Sequence, residues 1–220
     1  MDTLIIKKDD EYVQQLAQLD PVMGKLIQYV GTINIPLRTD YFASLVRSIT
    51  GQQISVAAAS AVFERLKNLT GNKMNVDSIA RVSDEDLHEI GFSKRKIEYI
   101  RDLIAHIERE DIILSQLPEL DNDTIIKQLT SVKGIGKWTA EMFLILSLAR
   151  MDVLAIDDIG IQRGARWLYQ VEKTERKEIL KQKQTIWKAP HLTIASCYLW
   201  EVVHLDLERQ FQGIDDVNLN

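Results

Sequence analysis

The stretch Ser131–Ala140, with the sequence SVKGIGKWTA, holds two glycines on either side of one apolar residue, between two segments with helical periodicity. Glycine adopts backbone dihedral angles that other residues avoid and leaves its N–H group uncovered. Ile135, between the glycines, can anchor such a turn on the helices beneath. A helix that starts near Lys137 presents its unpaired N-terminal amides and the positive end of its dipole on the same side. The stretch therefore predicts a helix, a tight hairpin and a second helix over residues 122 to 149, with a site that suits a phosphate group.

Two consecutive aspartates, Asp157 and Asp158, follow the hairpin after the apolar run Val153–Ile156 and stand at the start of another helical pattern. A carboxylate at a helix N-terminus accepts hydrogen bonds from backbone N–H groups and is kept ionised by the helix dipole. An ionised carboxylate stabilises positive charge that develops in a transition state. The residues alone leave two interpretations open: a pair of helix caps, or a cap beside a catalytic group.

Taken together, these segments resemble the helix-hairpin-helix DNA glycosylases, nearest the branch that removes 3-methyladenine and other alkylated purines. The segments that carry the resemblance are Ile49–Ser55 (ITGQQIS), 132–140 (VKGIGKWTA), 156–163 (IDDIGIQR), 190–192 (PHL) and Trp200. The resemblance implies an all-α fold of two helical lobes with the active-site cleft between them. It also implies one glycosylase domain over residues 1–220, with a central lobe of about 40–155 and a second lobe from 1–39 and 156–220.

The resemblance assigns catalytic and pocket roles to individual residues. Asp158 is the expected catalytic carboxylate, which stabilises the positive charge on the sugar or orients the attacking water, and Asp157 is the expected helix cap. Trp138, Met142 and Trp200 are the expected walls and floor of a base pocket, whose aromatic faces suit a cationic alkylated purine. Trp138 stands where strand-cleaving relatives have a nucleophilic lysine. The chain is therefore predicted to be a monofunctional hydrolase that flips the base out of the duplex and leaves an abasic site.

The expected partner is double-stranded DNA with a damaged base, and the expected assembly is a monomer. DNA contacts are assigned by resemblance to Gln52, Gln53, Lys133, Gly134, Ile135, Gly136 and Lys137. Gln53 takes the place of the wedge that fills the gap left by a flipped base, although two adjacent glutamines are also ordinary surface residues. The backbone carbonyls of Thr130, Val132 and Ile135 are expected to hold a monovalent cation, Na⁺ or K⁺, next to a phosphate.

Composition excludes several classes of protein. The single cysteine, Cys197, excludes an internal disulfide and a four-cysteine iron–sulfur cluster. The four histidines lack the spacing of zinc ligands, and no cofactor is expected to be required. No apolar run reaches the length of a membrane span, and the N-terminus lacks signal-peptide features, so the expected location is cytoplasmic, or nuclear in a eukaryote. With a net charge of −5, any DNA contact must be local.

Elsewhere the pattern predicts about ten helices and no strand, with residues 1 to 10 as a loose arm. Asp20, Asp40 and Ser93 are predicted helix caps.

Two alternative functions stay open. One is a glycosylase for oxidised, deaminated or mismatched bases, and the other is a non-catalytic DNA-binding module in which Asp158 only caps its helix.

Overall fold

A computed structural model describes residues 2 to 217 and gives a predominantly helical fold, so the predicted all-α class is confirmed. The α-helices are α1 (Glu11–Leu19), α2 (Pro21–Val30), α3 (Tyr41–Gly51), α4 (Val56–Leu69), α5 (Val76–Ala80), α6 (Asp84–Glu89), α7 (Lys94–Glu108), α8 (Asn122–Thr130), α9 (Lys137–Leu146), α10 (Ile159–Tyr169), α11 (Arg176–Ile186), α12 (His191–His204) and α13 (Leu207–Gln210). Two 3-10 helices span Leu114–Glu119 and Ile214–Asp216. Across residues 2 to 217, the helices are all too short or too polar to cross a lipid bilayer.

The expectation that the chain has no strand is wrong near its N-terminus. Strands β1 (Thr3–Ile6) and β2 (Ile33–Pro36) form an antiparallel pair in which Ile6 lies opposite Ile33. Both isoleucines are buried, which fixes this part of the predicted loose arm to the core. Each strand has four residues, too few for an alternating pattern to stand out, and the partner lies far along the chain.

The chain divides into two compact units. The first consists of residues 38–143 and contains α3 to α8 and most of α9. The second consists of residues 1–37 and 144–220, and its described part contains the small sheet, α1, α2 and α10 to α13. The predicted hairpin therefore lies in the first unit and the paired aspartates lie in the second.

Predicted caps start several of these helices. The Asp40 carboxylate accepts a hydrogen bond from the N–H of Ala43 at 2.9 Å, and the Ser93 hydroxyl caps α7 in the same way. Asp20 accepts from the N–H of Met23 at 3.1 Å. These caps satisfy N–H groups that a helix leaves without partners.

Close packing of α10 against α12 positions the paired aspartates of the second unit. A Cβ on Gly164 of α10 would lie 2.2 Å from the carbonyl oxygen of Leu199 on α12, so the two backbones are in contact at this point. Only glycine fits there. The contact fixes the N-terminus of α10 relative to the residues of α12 that follow Leu199.

Asp20 is the centre of a buried polar cluster in the second unit. One carboxylate oxygen, Oδ2, accepts hydrogen bonds from the Tyr169 hydroxyl at 2.8 Å, the Lys183 ammonium at 2.7 Å and the Trp187 indole at 3.1 Å. Burial acts to raise the pKa of Asp20, but the hydrogen bonds from Lys183, Met23 and Tyr169 outweigh it, and the pKa lies below its ordinary value.

Asp20→Asn tests this cluster. We expect the free energy of unfolding near pH 7 to fall by about 3 kcal/mol, because the ammonium of Lys183 loses its buried partner. Because the pKa of Asp20 is lower in the folded than in the unfolded protein, its stabilising effect is present above the ordinary value of 3.8 and is lost as pH falls toward the folded value. The variant should therefore lose less stability than the wild type between about pH 5 and pH 3. Urea unfolding at several pH values measures both effects, and parallel acid profiles would contradict this assignment.

Candidate active site and DNA-binding elements

Asp158, rather than Asp157, caps α10. Oδ1 of Asp158 accepts a hydrogen bond from the N–H of Ile161 at 2.8 Å, whereas the carboxylate of Asp157 forms an exposed ion pair with Lys177 at 2.6 Å. The expectation that Asp157 is the cap is therefore wrong. The cap is the residue directly before the first helical one, here Ile159, and two consecutive aspartates do not reveal in advance where that boundary falls.

The indole of Trp200 lies against the Asp158 carboxylate. Nε1 of Trp200 donates a hydrogen bond to Oδ1 of Asp158 at 2.9 Å, the same oxygen that accepts from the N–H of Ile161. Asp158 is 9% exposed, and Trp200 is partly exposed. The structure thus brings two of the predicted site residues into direct contact within one unit. The sequence did not indicate this hydrogen bond.

Gln162 supports the turn that presents Asp158. This side chain is fully buried on α10, and its Nε2 donates a hydrogen bond to the carbonyl of Ile156 at 2.7 Å. The N–H of Asp158 donates to the carbonyl of Ala155 at 2.9 Å. Sequence reasoning missed Gln162. The available signal is a glutamine on the apolar face of α10, one turn after Asp158.

The hairpin of the first unit has the predicted form, although α9 ends at Leu146 rather than at residue 149. Gly134 has a φ of +80°, and the ring of Tyr99 packs directly on it, so that a Cβ would lie 2.1 Å from the ring. Ile135 is buried and the two glycines are exposed. Within residues 2 to 217, the N–H groups of Gly134 and Gly136 have no hydrogen-bond acceptor, so both can serve an external anion.

The two hairpin lysines are held by acidic neighbours. The backbone N–H of Lys133 donates a hydrogen bond to the carboxylate of Asp102 at 2.8 Å. The ammonium of Lys133 pairs with the carboxylate of Glu98 at 2.8 Å. This hydrogen bond and the negative charge of Glu98 raise the pKa of Lys133. The ammonium of Lys137 lies 3.6 Å from Oε1 of Glu141, an acid of α9 that is only 6% exposed and that the sequence did not single out. Both lysine side chains remain mostly exposed.

The junction between α3 and α4 is bonded to the hairpin. Nε2 of Gln52 donates to the carbonyl of Gly134 at 2.7 Å. Gln53 has a φ of 58°, in the left-handed region, and its Oε1 accepts from Nη2 of Arg95 at 2.7 Å. Ile54 and Val56, which follow, are exposed apolar residues. The structure therefore places the predicted wedge and the predicted phosphate-binding turn in one bonded cluster.

Two consecutive basic residues, Arg95 and Lys96, take part in this cluster, which the sequence did not show. Besides the bond from Arg95 to Gln53, the ammonium of Lys96 donates to the carbonyl of Thr50 at 2.7 Å. Burial, followed by the charge of Arg95, lowers the pKa of Lys96. Arg95 and Lys96 therefore connect α7 to the α3–α4 junction.

The remaining predicted pocket residues lie in the first unit. Trp138 is in the first turn of α9 and is 45% exposed, whereas Met142, one turn further along, is 8% exposed. Trp200 belongs to the second unit. A large indole with this exposure is unusual for a core residue. The exposure of Trp138 favours a binding role over the alternative of core packing.

The described side chains were searched for groups that could coordinate a metal ion. In the part of the chain that is described, no three His, Cys, Asp or Glu side chains are grouped so that they could hold a metal ion. The predicted cation site consists of backbone carbonyls instead. One of them, the carbonyl of Val132, accepts a hydrogen bond from the N–H of Ile135 at 3.1 Å. The carbonyl set of Thr130, Val132 and Ile135 remains a prediction.

Comparison with known proteins defines the class. Residues 46–189 match the family described as HhH-GPD superfamily base excision DNA repair protein, and the chain belongs to this superfamily. DNA-3-methyladenine glycosylase 1 of Schizosaccharomyces pombe is 33% identical, over 92% of this chain and 94% of the relative. A crystal structure of DNA-3-methyladenine glycosidase from Bacillus halodurans superposes with a TM-score of 0.87 at 38% identity, over 96% of this chain and 97% of that one. The S. pombe 3-methyladenine DNA glycosylase in complex with abasic DNA gives a TM-score of 0.70 at 31% identity, over 89% and 93%.

Proposed function

We propose that this protein is a monofunctional DNA glycosylase that removes N-alkylated purines, of the 3-methyladenine and 7-methylguanine type, from double-stranded DNA and leaves an abasic site. It acts as a monomer wherever chromosomal DNA is held, in the cytoplasm of a bacterium or archaeon or in the nucleus of a eukaryote. The observation that carries the proposal is the carboxylate of Asp158, fixed at the start of α10 by Ile161 and Trp200. Relatives that match nearly the whole chain are named as 3-methyladenine glycosylases, which supports the choice of substrate.

Asp158 is the proposed catalytic residue. When the bond between C1′ and the purine nitrogen breaks, its electron pair goes to the base and positive charge develops on the deoxyribose. The Asp158 carboxylate stabilises this charge electrostatically. Water then forms a bond to C1′ and loses a proton, which completes hydrolysis. Because an N-alkylated purine is already cationic, it leaves as a neutral base and needs no dedicated general acid.

Trp138, Met142 and Trp200 are the proposed base-binding residues. A cationic base over an aromatic face gains about 0.5 to 2 kcal/mol, a gain that a normal neutral purine does not have. The exposed indole of Trp138 supports this role in the first unit. Met142 supplies a polarisable thioether that adapts to bases of different shape.

The hairpin is the proposed anchor on the DNA backbone. The open N–H groups of Gly134 and Gly136 bind one phosphate, with Ile135 holding the turn and with Lys133 and Lys137 contributing exposed positive charge. A monovalent cation, Na⁺ or K⁺, on the carbonyls of the hairpin assists the same contact.

The α3–α4 junction is the proposed wedge. Gln53 fills the gap left by the flipped nucleotide, and Gln52 ties this wedge to the hairpin through its bond to Gly134. The amide oxygen of Gln53 is occupied by Arg95, so its NH₂ group is directed to the acceptors that every base pair presents in the minor groove.

Release of free base from methylated DNA tests the function. Incubation of the protein with dimethyl-sulfate-treated duplex DNA should free 3-methyladenine and 7-methylguanine, which chromatography separates from nucleotides. Duplexes with a single oxidised or deaminated base serve as controls and should release much less, because those bases are neutral. Release of a neutral damaged base with no release of alkylated purines would favour the other glycosylase class.

Borohydride trapping tests the monofunctional reaction. With Trp138 in place of a nucleophilic lysine, no Schiff base forms with the abasic sugar, and the strand stays intact until alkali or heat cleaves it. We expect no covalent protein–DNA adduct after reduction. A trapped adduct on methylated DNA would contradict the proposed reaction type.

A further inference from the structure

We infer that Trp200 is a positioning residue for the reaction, whose indole N–H sets the direction of the Asp158 carboxylate, and that Gly160 provides the space which this contact requires. The inference rests on the proposed role of Asp158 in the glycosylase reaction. It concerns the edge of the indole ring, which donates the hydrogen bond, and not its faces.

Two hydrogen bonds end on one oxygen of the Asp158 carboxylate. Oδ1 of Asp158 accepts from the N–H of Ile161 at 2.8 Å and from Nε1 of Trp200 at 2.9 Å. Hydrogen bonds to a carboxylate are shorter and stronger than those between neutral groups. Rotation of the carboxylate about its Cβ–Cγ bond breaks both bonds, so the two carboxylate oxygens are not equivalent. An ordinary N-cap aspartate has only the backbone bond and keeps this freedom.

A second observation is the fit of Trp200 over Gly160. A Cβ on Gly160 would lie 3.1 Å from Cδ1 of Trp200 and 3.1 Å from Oδ1 of Asp158. Contacts of this length are tighter than ordinary van der Waals contacts, so the indole or the carboxylate must shift when any other residue stands at 160. Gly160 has no positive φ, so its backbone conformation does not require glycine. The requirement comes from the approach of Trp200 to Asp158.

A second aspartate–tryptophan pair, Asp20 and Trp187, makes the same type of hydrogen bond as Asp158 and Trp200. Asp20 is also an N-cap aspartate, and its carboxylate accepts from the indole of Trp187 at 3.1 Å. There the same carboxylate binds the ammonium of Lys183, is 2% exposed and belongs to a structural cluster. Loss of the Trp187 bond should therefore affect stability only. Loss of the Trp200 bond should affect the reaction.

Two substitutions at Trp200 separate the donor from the ring. Trp200→Phe keeps an aromatic face and removes the N–H, whereas Trp200→His removes the benzene part of the indole and keeps an N–H that superposes on Nε1. We expect Trp200→Phe to lower the single-turnover rate of 7-methylguanine release by about 10- to 100-fold, the range of a hydrogen bond to a charged group. Trp200→His should be slower than the wild type, because it loses part of the aromatic face, but faster than Trp200→Phe at about pH 8, because its neutral ring restores a donor to Asp158.

Gly160→Ala tests the same contact without changing the donor. We expect the rate to fall in the same direction as in Trp200→Phe, because the added Cβ displaces the indole or the carboxylate by a few tenths of an ångström. Trp187→Phe is the matched control. Because Trp187 lies in the structural cluster around Asp20, this variant should have a lower urea midpoint than the wild type. Its rate of base release should stay within about twofold of the wild type. Affinity for a duplex with a tetrahydrofuran abasic analogue should stay within about twofold in Trp200→Phe and Gly160→Ala, because the hairpin is intact.

The outcomes separate this inference from the proposed function. A Trp200→Phe variant as fast as the wild type, with a slow Trp200→His variant, would overturn the inference and leave Trp200 with its base-binding role alone. A Gly160→Ala variant with the full rate would overturn it independently. If the wild type released no alkylated base, the proposed function itself would be wrong. Slow Trp200→Phe and Gly160→Ala variants with full DNA affinity and intact stability support the positioning role.

Discussion

Asp158→Asn should lower the single-turnover rate of alkylpurine release by about a thousandfold, because the transition state loses the negative charge of the Asp158 carboxylate. Asparagine keeps the size of the side chain, and its carbonyl oxygen can still accept from the N–H of Ile161 and from the indole of Trp200. The helix cap is therefore retained, and the effect on folding should be small. Single-turnover kinetics with a duplex that holds one 7-methylguanine measures the rate directly.

Asp157→Asn is the matched control. Its carboxylate is exposed and forms a surface ion pair with Lys177. Removing one exposed ion pair should leave the rate within about twofold, since such pairs contribute little. Binding to an abasic duplex should persist in Asp158→Asn. If Asp158→Asn released base at the wild-type rate, Asp158 would be only a cap and the reaction would depend on another catalytic group.

Gly134→Ala should weaken binding to a duplex with a tetrahydrofuran abasic site by about a hundredfold, because displacement of the turn removes the hydrogen bonds that Gly134 and Gly136 are proposed to donate to one phosphate. Two features of Gly134 act together. Its φ of +80° is unfavourable for alanine, and a Cβ would lie 2.1 Å from the ring of Tyr99. The turn must therefore move away from α7, and its bond to Gln52 at 2.7 Å must change as well. Fluorescence anisotropy with labelled duplex measures the affinity.

Gly136→Ala is the control for Gly134→Ala, because it adds a methyl group to the surface of the hairpin without distorting the turn. A Cβ on Gly136 meets no atom within 4 Å, and its φ is not positive. This variant should unfold at the same urea concentration as the wild type, whereas Gly134→Ala should unfold earlier. Any loss of affinity in Gly136→Ala then reports a methyl group that stands where the phosphate approaches. Wild-type affinity in Gly134→Ala would contradict the proposed role of the hairpin.

The hairpin and the helix caps could be predicted from the sequence, because each depends on a few neighbouring residues. The glycines at 134 and 136 predict the hairpin, because a turn residue with a positive φ, such as Gly134, is marked in the sequence by the glycine itself. Caps such as Asp20 and Asp40 are likewise read from a few neighbouring residues. These features gave the helical class and the positions of the principal elements.

Contacts between distant residues explain what the sequence did not predict. The bonds from Trp200 to Asp158 and from Arg95 to Gln53 each join residues 42 positions apart, and no local pattern specifies such a pair. The small sheet was missed for the same reason, because Ile6 pairs with Ile33. The order of the two aspartates was assigned wrongly because a shift of one residue in a helix start exchanges the cap between Asp157 and Asp158.

Stabilisation of a cationic sugar by Asp158 is tested most directly by comparing the affinities of two abasic-site analogues. A pyrrolidine in place of the deoxyribose carries a positive charge at the position where charge develops in the reaction, whereas a tetrahydrofuran of the same shape is neutral. We expect the wild type to bind the pyrrolidine duplex at least about tenfold more tightly than the tetrahydrofuran duplex, because an opposite charge at close range contributes more than about 1.4 kcal/mol in a partly buried site. Asp158→Asn should bind both duplexes with equal affinity. Equal affinities in the wild type, or an undiminished preference in Asp158→Asn, would contradict the catalytic role of Asp158.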